Sequence, residues 1–115
     1  MLFVVQPRET NFVDQRAVEM QLWTAHGIRS RRMTLDELVE SARLDEDRGL
    51  LVGDDGANVS VVYYRAGYTP DDYHSEAAWD VRLLLERSTA VKVCRHVCVC
   101  VRVRVCVCVC VCVCV

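Results

Sequence analysis

The stretch VVYYRAGY, residues 61–68, decides the fold. Its first four residues are β-branched or aromatic, and a short continuous apolar run of this kind is typical of a buried strand in a parallel sheet. Arg65, Ala66, Gly67 and Tyr68 follow as a polar turn, in which the glycine permits close backbone approach. We therefore expect a central strand that ends in a ligand-accessible loop.

The predicted elements around this stretch alternate between strands and helices. They are a strand at 2–5, a helix at 12–26, an edge strand at 28–32, a short helix with a capping box at 34–37, a hairpin with arms at 50–52 and 59–64, and a helix from Ser75 to about 90. This pattern predicts an α/β fold: a mostly parallel sheet flanked by helices, a Rossmann-like three-layer domain with one β-hairpin.

The first predicted helix has a plausible cap at each end. Asn11 occupies the N-cap position, and Gly27 follows the helix where a left-handed residue is favoured. Its apolar residues give the helix one wide apolar side. The residues of that side are Phe12, Val13, Ala17, Val18, Met20, Leu22 and Trp23.

The composition changes abruptly after Lys92. Residues 1–92 contain all 16 acidic residues, 11 of the 14 basic ones and no cysteine, giving a net charge of −5. Such a charge argues against nucleic-acid binding. Residues 93–115 contain all eight cysteines and eleven valines. We expect one folded domain at 1–92 and a separate low-complexity Val-Cys tail at 93–115.

Three interpretations of the tail compete. Cys-x-Cys pairs chelate soft metals, but valine spacers favour an extended chain over the turns that a metal site needs. An exposed strand of alternating Val and Cys would be prone to aggregation. The interpretation that we favour is a non-native tail translated from an unspliced intron, because an alternating GT repeat encodes Val-Cys.

The sequence predicts a cytoplasmic protein that does not contact a membrane. Its longest uncharged apolar run, residues 105–115, has 11 residues, whereas a membrane span needs roughly 18–20. The N-terminal apolar run at 2–5 meets charged and proline residues too soon for a signal peptide.

Two polar loops follow predicted strands at the edge where open α/β sheets bind ligands. In the first, Glu9 could accept from an ammonium group, while Asn11 and Gln15 suit an amide or a carboxylate. In the second, Arg65 could grip a carboxylate with both arms of its guanidinium. Together the loops suit a small zwitterion such as an amino acid or short peptide. The competing interpretation makes Asn11 only a helix cap and Glu9 a solvated charge.

No other chemistry is indicated by the motifs. His26 and His74 have no partners at metal-ligand spacing, and the sequence has neither a phosphate-binding glycine loop nor a credible nucleophile pair.

The run ETNFVDQR, residues 9–16, resembles the E-x-N-x-x-D-Q-R motif of eukaryotic-type glutathione synthetase. Four further stretches agree with that family in the same order: RRMT at 31–34, LDEDR at 44–48, VVYYRAGY at 61–68 and WDVRLLLERS at 79–88. The resemblance covers essentially all of residues 3–92.

The resemblance implies a cytosolic, homodimeric ATP-grasp ligase that joins γ-glutamylcysteine to glycine with ATP and Mg²⁺. The matching segment would be its substrate-binding domain. Residues equivalent to Glu9, Thr10, Asn11, Gln15 and Arg65–Tyr68 would contact γ-glutamylcysteine or glutathione. Ala66 stands where the family often has aspartate, and Thr10 where it often has a basic residue, which puts those two side-chain contacts in doubt.

The same resemblance places the ATP-grasp lobes and the Mg²⁺ carboxylates outside this chain. We therefore expect the 115 residues alone to bind no cofactor and to have no ligase activity, with the rest of the synthetase as the natural partner. The alternatives are a stand-alone, non-catalytic module that binds small peptides and, less favoured, a metal-binding protein that uses the cysteine tail.

Overall fold

The computed structural model describes residues 1–94, so the predictions for the rest of the cysteine tail lie outside the described residues. The elements are β1 (Leu2–Val4), α1 (Phe12–His26), β2 (Arg31–Met33), α2 (Leu35–Ser41), β3 (Arg43–Leu44), β4 (Leu50–Val52), β5 (Ala57–Val59), β6 (Val61–Tyr64), a 3₁₀ turn (Pro70–Asp72), α3 (Glu76–Arg87) and β7 (Val91–Cys94).

The main sheet has four parallel strands in the order β2-β1-β6-β7. Leu2 of β1 lies between Arg31 of β2 and Val62 of β6, which places the two apolar runs at the centre, as their composition predicts. The chain moves outward from β1 to β2 in one direction and from β6 to β7 in the other. The carboxyl ends of β1 and β6 therefore flank the point at which ligands bind in such sheets.

One face of the sheet forms the apolar core. Leu2, Val4, Val62 and Tyr64 project from alternate positions of β1 and β6 and are at most 1% exposed. The side chains that complete this core from the helices are Leu35 and Leu38 of α2 and Ala78, Val81 and Leu85 of α3. The predicted α/β class, parallel sheet and hairpin are confirmed, while the finer Rossmann-like description and the origin of the tail stay predictions.

Helix α1 contacts the sheet through polar side chains, and its wide apolar side is largely exposed. Its buried residues are Gln15 and Glu19, both of which bond to Arg32 of β2. Val13 is 76% exposed and Met20 68% exposed. The spacing of apolar residues identified a helix but not the side that it buries, because the partly buried guanidinium of Arg32 on β2 bonds to polar side chains.

The second arm of the hairpin ends earlier than predicted. β5 stops at Val59 and pairs with β4 in a small antiparallel sheet, order β3-β4-β5, whereas β6 joins the parallel sheet. The predicted single arm at 59–64 is therefore two strands, separated at Ser60, whose carbonyl accepts from the Val91 N–H at 2.9 Å. Changing sheets at this point buries Val62 and Tyr64 beside β1.

The last helix is shorter than predicted, and a strand follows it. α3 ends at Arg87, where the Ser88 N–H bonds to the carbonyls of Leu84 and Leu85. β7 then pairs with β6 through Cys94, which lies two residues beyond the expected domain boundary at Lys92. The sequence did not predict this strand, because no glycine, proline or other turn residue separates residues 91–94 from the Val-Cys repeat that follows.

Candidate functional site

The two predicted loops leave neighbouring strands at the same edge of the sheet. The Val5 N–H bonds to the Met33 carbonyl at 3.0 Å, and the Arg65 N–H bonds to the Val4 carbonyl at 2.7 Å, so both loops begin from fixed backbone. A side-chain bond from Gln6 to Asp72, at 3.3 Å, joins them farther out. The structure therefore confirms that the two predicted loops lie side by side at one edge of the sheet.

Asn11 connects the first loop to the second. With its amide oriented to match both neighbours, its nitrogen donates to Oδ2 of Asp14 at 2.9 Å and its oxygen accepts from Nη2 of Arg65 at 3.3 Å. Its backbone N–H donates to Oε1 of Glu9 at 2.8 Å. Asn11 occupies the predicted N-cap position of α1, but its side chain makes no capping hydrogen bond and is engaged across the crevice instead.

Gln15 lies one helical turn beyond Asn11 on the same side of α1. It is 2% exposed, and its Oε1 accepts from Nη2 of Arg32 at 2.7 Å. Its Nε2 is buried without a hydrogen-bond partner. A buried donor of this kind in a native fold calls for an explanation, and a ligand is one.

The backbone of the second loop surrounds an internal carboxylate. Oδ2 of Asp72 accepts from the N–H groups of Gly67, Tyr68 and Thr69 at 3.0, 2.8 and 3.3 Å. These N–H groups are therefore committed within the chain, and a ligand would meet the loop mainly through its side chains. The Tyr68 hydroxyl donates to the Tyr64 carbonyl at 2.7 Å, which holds that ring against the strand end.

Tyr73 and Arg82 support the same loop from beneath. The Tyr73 hydroxyl donates to the Gly67 carbonyl at 3.0 Å and lies 3.3 Å from Nη1 of Arg82. The Tyr73 ring stacks on Trp79 of α3 at 3.8 Å between centroids. Gly67 has φ of +79°, a conformation that favours glycine. The loop is thus fixed to α3 rather than left to solvent.

Arg82 also connects this support to a buried tyrosine. Its guanidinium carbon lies 3.7 Å from the centre of the Tyr64 ring, and its Nε donates to Oε1 of Glu86 at 2.9 Å. The Tyr64 hydroxyl donates to the same Glu86 oxygen at 3.2 Å. Burial raises the pKa of Tyr64 well above its usual value, so this hydroxyl stays protonated and acts as a donor.

The remaining predicted residues have different surroundings. Ala66 is buried and borders an open cleft of about 410 Å³, lined also by Arg8, Asp36 and His74. Thr10 is exposed, and Glu9 is partly buried. The structure thus brings Glu9, Asn11 and Arg65 together, places Gln15 beneath them and leaves Thr10 at the surface.

Sequence reasoning missed the residues that hold the site in shape. Asp72 had a recognisable signal, because Thr69 and Pro70 before it form the start of a helical turn, in which an acidic third residue is common. Arg32 had none that spacing could provide, since its partners Gln15 and Glu19 lie on another element.

Among residues 1–94, no group of three or more His, Cys, Asp or Glu side chains is placed to hold a metal ion. None of the helices in the same range is long and apolar enough to span a bilayer.

The side chains of the two loops have the chemistry that suits a small charged ligand. Arg65 supplies a cation for a carboxylate, Glu9 an anion for an ammonium group, and the Asn11 and Gln15 amides supply neutral hydrogen-bonding groups. No nucleophile with an adjacent base accompanies them among the described residues.

Comparisons with a family model and with individual proteins point to the same family. The family model for eukaryotic glutathione synthase matches residues 1–98. A glutathione synthetase of Dictyostelium discoideum is 47% identical over 94 residues, one of Homo sapiens 46% over 92 and a chloroplastic one of Arabidopsis thaliana 45% over 92. Each alignment covers 80% of this chain but only 20%, 19% and 17% of the respective relative. The chain thus spans about a fifth of the length of these relatives.

Proposed function

Because this chain belongs to the eukaryotic glutathione synthase family, we propose that it forms the part of a glutathione synthetase that binds the γ-glutamyl peptide. The observation that carries the proposal is the joining of the two loops through Asn11 and Arg65 at the carboxyl edge of the sheet. A ligand there would meet the Arg65 cation, the Glu9 anion and the amides of Asn11 and Gln15, which matches the charges of a zwitterionic amino-acid end.

The ligand that we propose is γ-glutamylcysteine or glutathione. Glu9 and Arg65 would face the ammonium and carboxylate of the glutamyl group, with Asn11 and Gln15 bonding to its oxygens. Gly67 and Tyr68 would shape the wall beside it. Ala66 offers no side-chain hydrogen bond, and Thr10 lies at the surface, so neither is needed for this binding mode.

The whole-enzyme activity belongs to a larger assembly. We propose that ligation of glycine to γ-glutamylcysteine, with ATP and Mg²⁺, takes place in the cytoplasm in a homodimeric synthetase, in which this segment binds the peptide substrate. The 115-residue chain incubated with ATP, Mg²⁺, glycine and γ-glutamylcysteine should produce no glutathione, and production of glutathione would refute this division of labour.

Binding is tested by titrating the ¹⁵N-labelled 115-residue chain with glutathione and following its amide resonances. We expect shifts at residues 9–15 and 65–68. Arg65→Met should weaken binding at least tenfold, because it removes the cation that faces the carboxylate. Arg87→Met is the matched control, since Arg87 is exposed on α3, away from both loops. Equal loss in both variants, or no shifts in either loop, would contradict the proposal.

A further inference from the structure

The two ends of the Gln15 amide have different surroundings. Its oxygen accepts from Nη2 of Arg32 at 2.7 Å, and its nitrogen is buried without a partner. Arginine has donors only, so this contact requires the oxygen to face Arg32 and turns the NH₂ group away from it. The orientation of the amide is therefore determined by β2.

Arg32 is itself held in place. Its Nη1 donates to Oε1 of Glu19 at 2.7 Å, while the other Glu19 oxygen accepts from Arg16 at 2.7 Å. Gln15 and Glu19 are four residues apart, on one side of α1, so one guanidinium bridges both with its two arms. The Arg32 side chain is 18% exposed and that of Glu19 8%, so this ion pair is largely shielded from solvent.

We propose that Arg32, anchored by Glu19, is a positioning residue that presents the Gln15 NH₂ group to the ligand. Asn11 lies one turn before Gln15 on the same side of α1 and contacts Arg65, which places the amide beneath the proposed crevice. At this point the ligand then contributes an oxygen acceptor, a carboxylate or a carbonyl, and not an ammonium group. The inference rests on the proposed function and assigns the polarity of one contact in it.

The first test is Gln15→Glu in the full 115-residue chain, with glutathione as the probe. A carboxylate keeps the acceptor for Arg32 but replaces the NH₂ donor by a second oxygen. We expect glutathione affinity to fall at least tenfold, and the unfolding midpoint in urea, measured in parallel, separates loss of binding from loss of the fold. Unchanged affinity would overturn the proposal, since it would show that the ligand does not need the Gln15 NH₂ donor.

The second test compares Arg32→Lys with Arg16→Gln. Lysine keeps the charge but cannot bridge Gln15 and Glu19 with a fork, so the amide is released to turn and affinity should fall severalfold. Arg16→Gln removes a contact to Glu19 without touching Gln15, and affinity should stay within twofold of wild type. Loss of affinity in Arg16→Gln equal to that in Arg32→Lys, at matched stability, would show a merely structural role.

A readout without ligand separates this inference from the proposed function. The Gln15 side-chain NH₂ protons of the ligand-free chain should give one pair of resonances that moves in Arg32→Lys and stays fixed in Arg16→Gln. Failure of the wild-type chain to bind glutathione would refute the proposed function, and these resonances would still decide the orientation. Resonances that are unaffected by Arg32→Lys would overturn the inference whether or not glutathione binds.

Discussion

Gly67 is the residue on which the second loop most depends. A β-carbon at this position would lie 2.7 Å from the Tyr73 hydroxyl and 3.3 Å from Nη1 of Arg82, and the backbone has positive φ. Both the conformation and the close approach of Tyr73 therefore require glycine.

Gly67→Ala should destabilise the chain by about 1–3 kcal/mol and weaken glutathione binding, because the loop must shift to admit the methyl group. Gly27→Ala is the matched control: it has a similar φ of +65° but nothing within 4 Å of the added carbon. Urea unfolding of both variants measures the difference. A smaller loss of unfolding free energy in Gly67→Ala than in Gly27→Ala would show that the Tyr73 side chain moves away from the added methyl group at little cost.

Tyr64 makes stability depend on alkaline pH. Burial raises its pKa well above the ordinary value, and Glu86 adds to this while Arg82 opposes it. Above a pH of about 10 the unfolded chain releases the phenol proton while the folded chain retains it, so the folded state binds more protons and stability falls as pH rises. The contribution is complete below that pH.

Tyr64→Phe should therefore lose less stability than wild type between pH 9 and pH 11. At neutral pH it should be less stable by about 1 kcal/mol, for the lost bond to Glu86. Unfolding free energies measured across this range check the slope. Parallel slopes for the two chains would contradict the assignment to Tyr64.

At the scale of single elements, two helices begin with side chains of different roles. The Thr34 hydroxyl oxygen accepts from the Glu37 N–H at 3.2 Å, and Oε2 of Glu37 accepts from the Thr34 N–H at 2.7 Å. These two bonds confirm the predicted capping box. Asn11 stands at the corresponding place of α1 but bonds across the crevice. We therefore expect Thr34 to contribute to stability and Asn11 to contribute to ligand binding.

Thr34→Ala should cost about 0.5–2 kcal/mol of stability and leave glutathione binding unchanged, because only the cap is lost. Asn11→Ala should show the reverse, with weakened binding and stability within about 0.5 kcal/mol of wild type. Thermal unfolding and the glutathione titration, run on both variants, check this. This prediction would be contradicted if the same variant showed both the larger loss of stability and the larger loss of glutathione affinity.

The predictability of these elements follows from how local their signals are. Caps at Thr34 and Ser75 and the apolar strands were predictable because their partners lie within a few residues or because burial dictates composition. The buried side of α1 was not, because it depends on Arg32 of another element. The change of sheet at Ser60 likewise depends on pairing with distant β1 and β7.

At the scale of the whole molecule, the sequence predicted the two loops of the site but not their supports. Alternation of strands and helices implies a common sheet edge, which is enough to place Glu9 near Arg65. Asp72, Tyr73 and Arg82 contact the second loop through geometry that no spacing rule contains. A positional rule thus predicts the site, whereas its rigidity requires the structure.

The main sheet extends past the composition change at Lys92. Val93 and Cys94 pair with Tyr63 and Tyr64 of β6. Deletion of residues 93–115 should therefore lower stability by roughly 1–3 kcal/mol relative to deletion of 95–115, since it removes two positions of the ladder. Urea unfolding of the two truncated chains measures this, and equal midpoints would show that β7 contributes nothing beyond Lys92.

The strand order has a consequence for synthesis on the ribosome. Leu2 pairs with Val62, so β1 has only its outer neighbour β2 until β6 has been made. At about 5–20 residues per second, β6 follows β1 by roughly 3–12 seconds. During that interval an apolar strand has one open edge within the emerging polypeptide. The central pairing of the sheet thus joins its two most distant partners in sequence, and a chaperone that binds the nascent chain would protect this edge.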